Sequence, residues 1–366
     1  MTRVALDLLG GDHAPASVVD GALLVHEQTP GVEVLLVGPV DVAERLLSER
    51  GAAGRVELVP ASQVVGMHED PARGVRAKRD ATVRVAARLV RDGRADAVVS
   101  VGSTGAAMAA SLFTLGRLRG MSRPALAAVI PSAAGPVVLL DAGATTEATP
   151  RLLAQFALAG AALATVRLGI TAPRVGLLSV GEEPGKGDEL RKQAFDALSA
   201  LPLDFVGNVE GGDVPHGGRA DVVVTDGFTG NVLAKGLEGA ATMLSAVLRE
   251  AICAAVDHEP VPALTALEEV TAHMRPDALG GAVLLGVKGV VVVGHGASSP
   301  AGVQSCVRVA VQSVREGLVP RLAEALAAYD RTDPGTGPGT DGRTGTQDRT
   351  GTDDRTGTDD PGGAHP

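Results

Sequence analysis

Residues 220–237 read ADVVVTDGFTGNVLAKGL and gather the residue types that an anion site needs. The pattern predicts a buried strand over 221–225, a polar glycine-bearing turn over 226–231, and then a helix. Backbone N–H groups at a helix N-terminus point past the strand end, and the helix dipole favours negative charge there. Gly227 and Gly230 let the backbone approach a ligand closely. Asp226 and Asn231 add side chains that accept and donate, and Asp226 is the strongest carboxylate candidate because it lies between strand end and turn.

Six more loops follow apolar runs in the same way. Residues 8–15 read LLGGDHAP, with Asp12 and His13. Residues 100–106 read SVGSTGA, placing Ser103 and Thr104 at capping positions and Gly105 just inside a helix. The others are 141–147 (DAGATTE), 180–189 (VGEEPGKGDE, with Lys186), 207–213 (GNVEGGD) and 294–299 (GHGASS, with His295). One such loop is an ordinary strand-to-helix connection, but a whole set at strand ends points to a polar cleft. Bland readings stand beside each candidate. His13 and His295 could bond nearby backbone, Lys186 could pair with Glu182 or Glu183, and Lys235 and Glu238 could be a simple ion pair three residues apart.

Several site types are excluded. GGDHAP does not supply the dinucleotide fingerprint, no Walker pattern occurs, and no GxSxG elbow is present. No His, Cys and carboxylate set has zinc spacing, so no metal is expected. What remains suits an anionic substrate that needs electrostatic stabilisation rather than a covalent enzyme intermediate.

The elements that position these loops alternate. Strands are predicted at 4–8, 32–37, 56–59, 97–101, 127–130, 137–140, 174–179, 205–208, 221–225 and 289–293. Helices are predicted at 16–28, 41–50, 81–91, 105–115, 150–168, 187–198, 232–256 and 303–329. The strands are continuous Val, Leu and Ala runs, as in parallel sheets buried on both faces. The fold expected is a three-layer α/β/α arrangement with a mostly parallel doubly wound sheet. Helix 232–256 is apolar nearly all round, breaks at 257–262, and precedes a second helix at 263–275. Such a hairpin, about 232–275, needs cover and predicts a subunit interface. From residue 330 onward the chain is Thr, Gly, Asp, Arg and Pro, with a six-residue RTGTxD repeat over 343–360. The expected organisation is an α/β domain over 1–329 and a disordered tail over 330–366.

Composition narrows the partners. The chain has 366 residues, a net charge of −10, five Phe, one Tyr and no Trp. Few aromatics and an acidic balance argue against nucleic acid. Cys253 and Cys306 suggest a reduced cytoplasmic setting. No signal-peptide pattern opens the chain, and no run of the ~18–20 residues a membrane span needs lacks both Gly and charge.

As an ordered set, the loops resemble the phosphate acyltransferases of bacterial phospholipid synthesis, the PlsX type. The match is carried by ALDLLGGDHAP (5–15), DPARGVRAKRDA (70–81), GSTGAAMAAS (102–111), GRLRGMSRPALA (116–127), PRVGLLSVGEEPGKGDEL (173–190), FVGNVEGGD (205–213), ADVVVTDGFTGNVLAKGLEG (220–239) and GGAVLLGVKGVVVVGHGAS (280–298). The resemblance implies transfer of a fatty acyl chain from acyl carrier protein to inorganic phosphate, giving acyl phosphate. A membrane glycerol-phosphate acyltransferase would use that product. It further implies a homodimer joined through a helical element, no metal or organic cofactor, and a soluble or loosely membrane-associated protein. The implied fold is similar to that of isocitrate and isopropylmalate dehydrogenases and of phosphotransacetylase. An acyl-CoA enzyme of the phosphotransacetylase kind and a non-catalytic scaffold of lipid synthesis are the alternatives. Within the implied site, N–H groups of 227–231 and 103–105 would cradle anions, Lys186 would supply positive charge and Asn231 a donor. Asp12, His13, Asp226 and His295 would orient substrates or shuttle a proton. The chain departs from this pattern at Ser103, where GNTGA is usual, at 143–147, where GANxD is usual, and at Ala81-Thr82, where Ser-Ser is common. Arg73, Arg76, Lys78 and Arg79 could meet an acidic carrier protein.

Overall fold

Strands of continuous Val, Leu and Ala assemble into an eleven-stranded sheet in the computed structural model, which describes residues 1–255, 261–272 and 279–332. In chain order the strands are β1 (Thr2–Asp7), β2 (Val32–Gly38), β3 (Glu57–Pro60), β4 (Ala97–Ser100), β5 (Ala125–Ile130), β6 (Val137–Leu140), β7 (Arg174–Leu178), β8 (Asp204–Val209), β9 (Val222–Val224), β10 (Ala282–Leu285) and β11 (Val290–Val293). The helices are α1 (Ala16–Gln28), α2 (Val40–Glu49), α3 (Pro71–Ala77), α4 (Thr82–Arg91), α5 (Thr104–Thr114), α6 (Pro150–Leu168), α7 (Glu189–Ser199), α8 (Asp213–His216), α9 (Gly227–Ala255), α10 (Val261–Ala272), α11 (Pro300–Arg315) and α12 (Leu318–Thr332).

The strand order is β3-β2-β1-β4-β11-β10-β5-β6-β9-β7-β8. Pairings are parallel except β11–β10, β10–β5 and β5–β6. Three reversals turn the second parallel block, β6-β9-β7-β8, opposite in direction to the first, β3-β2-β1-β4-β11. The C-terminal ends of the two blocks therefore lie at opposite edges of the sheet. This divides the glycine loops into two sets where the sequence suggested one.

Successive residues serve opposite faces, which explains the unbroken apolar runs. Val4 and Leu6 join one core cluster with Val18, Phe156, Leu163 and Val303, drawn from α1, α6 and α11. Ala5 joins another with Ala86 and Ala107, from α4 and α5. A third, around Val137, Leu139 and Val223, is covered by Leu233, Ala234 and Leu237 of α9. The result is a three-layer α/β/α fold. Helix α6 is apolar and long enough to cross a membrane by length and composition, and it is 72% buried inside this core.

Five boundaries differ from the sequence reading, each for a local reason. The expected turn at 226–231 is the first turn of α9, because Asp226 caps it by accepting the Thr229 N–H at 2.9 Å. The strand expected at 289–293 is β11, and β10 before it, which the sequence reading did not place, is separated from it around Gly286, whose φ of +90° suits glycine. The expected helix 303–329 divides at Gly317 (φ +67°) into α11 and α12. Asp70, capping through the Arg73 N–H, and Pro71 start the unforeseen α3. Helix α12 continues past 329 to Thr332, with Asp330 paired to Arg151 at 2.9 Å. The rest of the expected tail, most of the hairpin break at 257–262, and the end of the second hairpin helix at 273–275 lie outside the described residues.

Helix α9 seats closely on the loop after β6. A Cβ on Gly230 would stand 1.9 Å from the Asp141 carbonyl oxygen, whereas one on Gly236 would meet nothing within 4 Å. Overpacking costs about 1–3 kcal/mol or more, and Gly-to-Ala within a helix gains up to about 1 kcal/mol. Gly230→Ala should therefore lower Tm by several degrees in calorimetry, and Gly236→Ala should leave it unchanged or raise it.

Candidate active site

The first loop cluster is built at the ends of β1, β4 and β11. Asp7 closes β1 and is buried; it accepts from Ser100 Oγ at 2.7 Å and from the Leu9 N–H at 3.3 Å. Burial pushes its pKa up, against the lowering pull of the Thr82 and Ser100 hydroxyls and of the Leu9 and Gly10 N–H groups. Gly10 has room for no side chain: a Cβ there would meet Asp7 Oδ2, Gly102 N and Ser100 Oγ, each at 2.9 Å. The Asp12 N–H donates to the Gly296 carbonyl at 2.8 Å, so the loops carrying Asp12 and His13 and the loop carrying His295 interlock. A cavity of about 190 Å³ opens beside them, with Asp7, Gly10, Thr82, Ser100 and Ser103 on one side and 64–67 on the other.

Helix α5 starts in this cluster. Ser103 Oγ accepts the Ala106 N–H at 3.3 Å, the Ser103 carbonyl accepts that of Ala107, and Gly102 N–H goes to Ser100 Oγ. Among the described residues the Thr104 and Gly105 N–H groups have no protein acceptor. They are the donors that a helix end offers to an anion.

His295 is exposed. Its Nδ1 accepts the Ala297 N–H at 3.2 Å, which assigns the proton of the neutral ring to Nε2. Nε2 faces Glu238 Oε1 at 3.4 Å, and Glu238 Oε2 accepts from Lys235 Nζ at 2.6 Å. Asn231, Lys235 and Glu238, at i, i+4 and i+7, share one face of α9. That stripe runs from Ala142 in the second cluster, where Asn231 Nδ2 donates at 3.1 Å, to His295 in the first. Seven residues of helix span about 10 Å.

The second cluster lies at the ends of β6, β7, β8 and β9. The buried Asp141 carboxylate accepts N–H bonds from Leu126, Gly143, Ala144 and Thr145 at 2.6–3.0 Å. Burial raises its pKa and those four N–H groups oppose the rise. Asp226 accepts from the Thr229 N–H at 2.9 Å, from Thr229 Oγ1 at 2.8 Å and from Arg191 Nη2. Arg191 also donates to Asp188 at 2.9 Å and to Thr225 Oγ1 at 3.2 Å. Burial alone would raise the pKa of Asp226, but Thr229 and the Arg191 guanidinium outweigh it and hold the carboxylate below the usual range.

The expected anion cradle over 227–231 is corrected at three of its donors. The Gly227 N–H donates to the Thr145 carbonyl at 2.8 Å, the Gly230 N–H to the Asp226 carbonyl at 3.0 Å, and the Thr229 N–H to the Asp226 side chain. These donors are already engaged, so Gly227 and Gly230 serve close packing instead. Asp226 is a helix cap and ion-pair partner. Lys186 is exposed on the loop after β7, its N–H bonded to the Glu183 carbonyl at 3.0 Å. Asp12, His13, Ser103, Thr104, Gly105 and His295 thus gather in the first cluster. Asp226, Gly227, Gly230 and Asn231 gather in the second, and Arg191 ties the chain just beyond Lys186 to it.

Sequence reasoning missed Asp7, Asp141 and Arg191. An acidic residue closing a strand before a glycine loop marked the first two, while nothing local singled out Arg191. Among the described residues no cluster of His, Cys, Asp and Glu is placed to hold a metal ion.

The depressed pKa of Asp226 makes a stability prediction. Its stabilising contribution is complete above the unfolded carboxylate value of about 3.9 and is lost as pH falls through the lower folded value. The Tm difference between wild type and Asp226→Asn should be constant from about pH 5 to 8 and shrink below about pH 4. A pH series of thermal melts measures it.

The family described as fatty acid synthesis protein matches residues 2–321. A phosphate acyltransferase of Desulfitobacterium hafniense (strain Y51) is 43% identical over 335 residues, covering 90% of this chain and 98% of the relative. A phosphate acyltransferase of Heliobacterium modesticaldum is 45% identical over 328 residues, covering 88% and 97%. Among solved structures, the EutD phosphotransacetylase from Staphylococcus aureus superposes with a TM-score of 0.58 at 16% identity, covering 86% of this chain and 94% of that one. A phosphotransacetylase from Streptococcus pyogenes gives 0.59 at 16% identity with the same coverage. These two show a shared fold. The matches over nearly the whole folded chain place it in the fatty acid synthesis protein family, with the phosphate acyltransferases as its relatives.

Proposed function

We propose that this protein transfers a fatty acyl group from acyl carrier protein to inorganic phosphate. A phosphate oxygen attacks the thioester carbonyl, a C–O bond forms, the C–S bond breaks, and the thiolate takes up a proton. Phosphate is already an oxyanion at neutral pH, so no strong base is required. The leaving thiol has a pKa of roughly 8.5, so proton delivery needs little help. What remains is to hold phosphate against the carbonyl and to stabilise the tetrahedral oxyanion.

The observation that carries this reading is the α5 N-terminus, with two unengaged N–H donors, beside the His295–Glu238–Lys235 chain. Thr104 and Gly105 offer donors to an anion. His295 Nε2–H is the group placed to donate to the departing sulfur or the oxyanion. Lys235 keeps positive charge beside Glu238, whereas Lys186, on the loop after β7, stands with the second cluster. Asn231 and Asp226 position α9 rather than touching substrate.

The test is acyl-phosphate formation from acyl carrier protein thioester and phosphate, trapped with hydroxylamine, with a coenzyme A thioester run in parallel. Wild type should turn over the carrier thioester. His295→Ala should lower kcat/KM at least tenfold with Tm unchanged. No turnover by well-folded wild type with either donor would sink the reading and leave a scaffold.

We further infer a homodimer. Met243, Leu244, Val247 and Leu248 of α9 are 40–63% exposed and line one helix face at i, i+1, i+4 and i+5. A contiguous apolar face of this kind is unusual on a monomer. Because acyl phosphate would be the input for a membrane glycerol-phosphate acyltransferase, we propose a cytoplasmic protein that associates loosely with the membrane. Sedimentation should give twice the chain mass for wild type and a monomer for Leu244→Glu/Val247→Glu.

A further inference from the structure

We infer that α3 and its flanks form the docking face for an acidic protein that delivers the thioester, an inference that rests on the acyl-transfer reading above. Helix α3 backs the wall of the 190 Å³ cavity. A Cβ on Gly74 would lie 2.7 Å from Val65, Lys78 Nζ donates to the Val64 carbonyl at 2.8 Å, and Pro71 abuts Gly105 at the start of α5. A partner seated on α3 would therefore stand at the mouth of the cavity and beside the two unengaged N–H groups.

The charges here are unevenly spent. Asp70 caps α3 through the Arg73 N–H at 2.7 Å. Glu69 is held by Lys78 at 2.5 Å and by the Gly66 N–H at 2.9 Å. Asp80 accepts both the N–H and the hydroxyl of Ser62 at 2.7 Å. Each nearby carboxylate has a local task. Arg73, Arg76 and Arg79 are exposed and, among the described residues, have no carboxylate within ion-pair distance. Arg76 stacks over Phe113 at 4.6 Å.

Apolar surface completes the patch. Phe113 is 45% exposed, Met67 58% and Val64 42%. Three guanidiniums around an exposed aromatic and aliphatic strip have the composition that protein interfaces favour. The rest of the molecule sharpens the choice of partner. With a net charge of −10, this chain offers an acidic protein no general attraction, so a locally basic face is what would draw one in. Docking at this face would set the arm of the carrier into the cavity.

The triple variant Arg73→Ser/Arg76→Ser/Arg79→Ser tests this. Its KM for acyl carrier protein thioester should rise at least tenfold at low salt, with the gap narrowing as salt screens the charges. Its kcat, and its KM for the same acyl chain on free pantetheine, should match wild type. A control of equal charge change, Arg45→Ser/Arg55→Ser/Arg321→Ser, should leave both donors unaffected. An unchanged KM for the carrier thioester would overturn the docking face, as would an equal loss on both donors. So would a triple variant that loses only binding to phosphatidylglycerol vesicles, since the patch would then serve a lipid surface. Should wild type turn over neither donor, the acyl-transfer reading falls by itself. Fluorescence anisotropy of labelled acyl carrier protein then decides the docking face: a Kd raised tenfold in the triple variant supports it, and equal Kd values refute it.

Discussion

Everything at the site depends on a buried carboxylate. Asp141 gathers four backbone N–H groups from Leu126, Gly143, Ala144 and Thr145 and is itself fully buried. An ionised group at that depth is tolerated because each oxygen is satisfied. The effect is to fix the loop after β6 as a rigid seat. Helix α9 then lies against that seat, with Gly227 under Thr145 and Gly230 against the Asp141 carbonyl. Any side chain at those glycines would lift the helix. The Asp226 cap and its Arg191 pair lock the same turn from the other side.

The consequence reaches the far edge of the sheet. Because the two parallel blocks run in opposite directions, their loop clusters cannot meet directly. Helix α9 is the rod that connects them. Asn231 anchors it at the second cluster, and Glu238 meets His295 at the first, two turns along. The orientation of His295 is therefore set partly by a loop it never touches. The other anchor of His295 is local, through the Ala297 N–H and the interlock of Asp12 with Gly296.

Much of this was legible in the sequence. Continuous Val and Leu runs marked the buried strands, and the helix expected over 150–168 stands where the sequence put it. Two things were not legible. Strand direction is a tertiary property: nothing in AVLL at 282–285 says that β10 runs against both of its neighbours. The state of the donors after β9 was hidden as well. DGFTGN looks like an open anion turn, but Asp226 takes the Thr229 and Gly230 N–H groups and the Thr145 carbonyl takes that of Gly227, and only the fold reveals it. The α5 N-terminus kept its donors because Ser103 caps only the Ala106 N–H and leaves the two preceding ones outward.

That distinction also bears on where this chain departs from the usual PlsX-type pattern. Ser103 stands where an asparagine is usual, yet Ser and Asn are near-equivalent N-caps, so the geometry that presents the Thr104 and Gly105 N–H groups survives. Thr145 stands in another loop that differs, but it is 3% exposed. Its N–H goes to Asp141 and its hydroxyl donates to the Pro124 carbonyl at 3.1 Å. Its side chain is part of the seat under α9. These two of the three departures thus fall on groups that shape the backbone, whereas Thr82 of the third lines the cavity beside Asp7. The proposed chemistry rests on what that backbone presents: two N–H donors, one imidazole, and the charges along a single helix face.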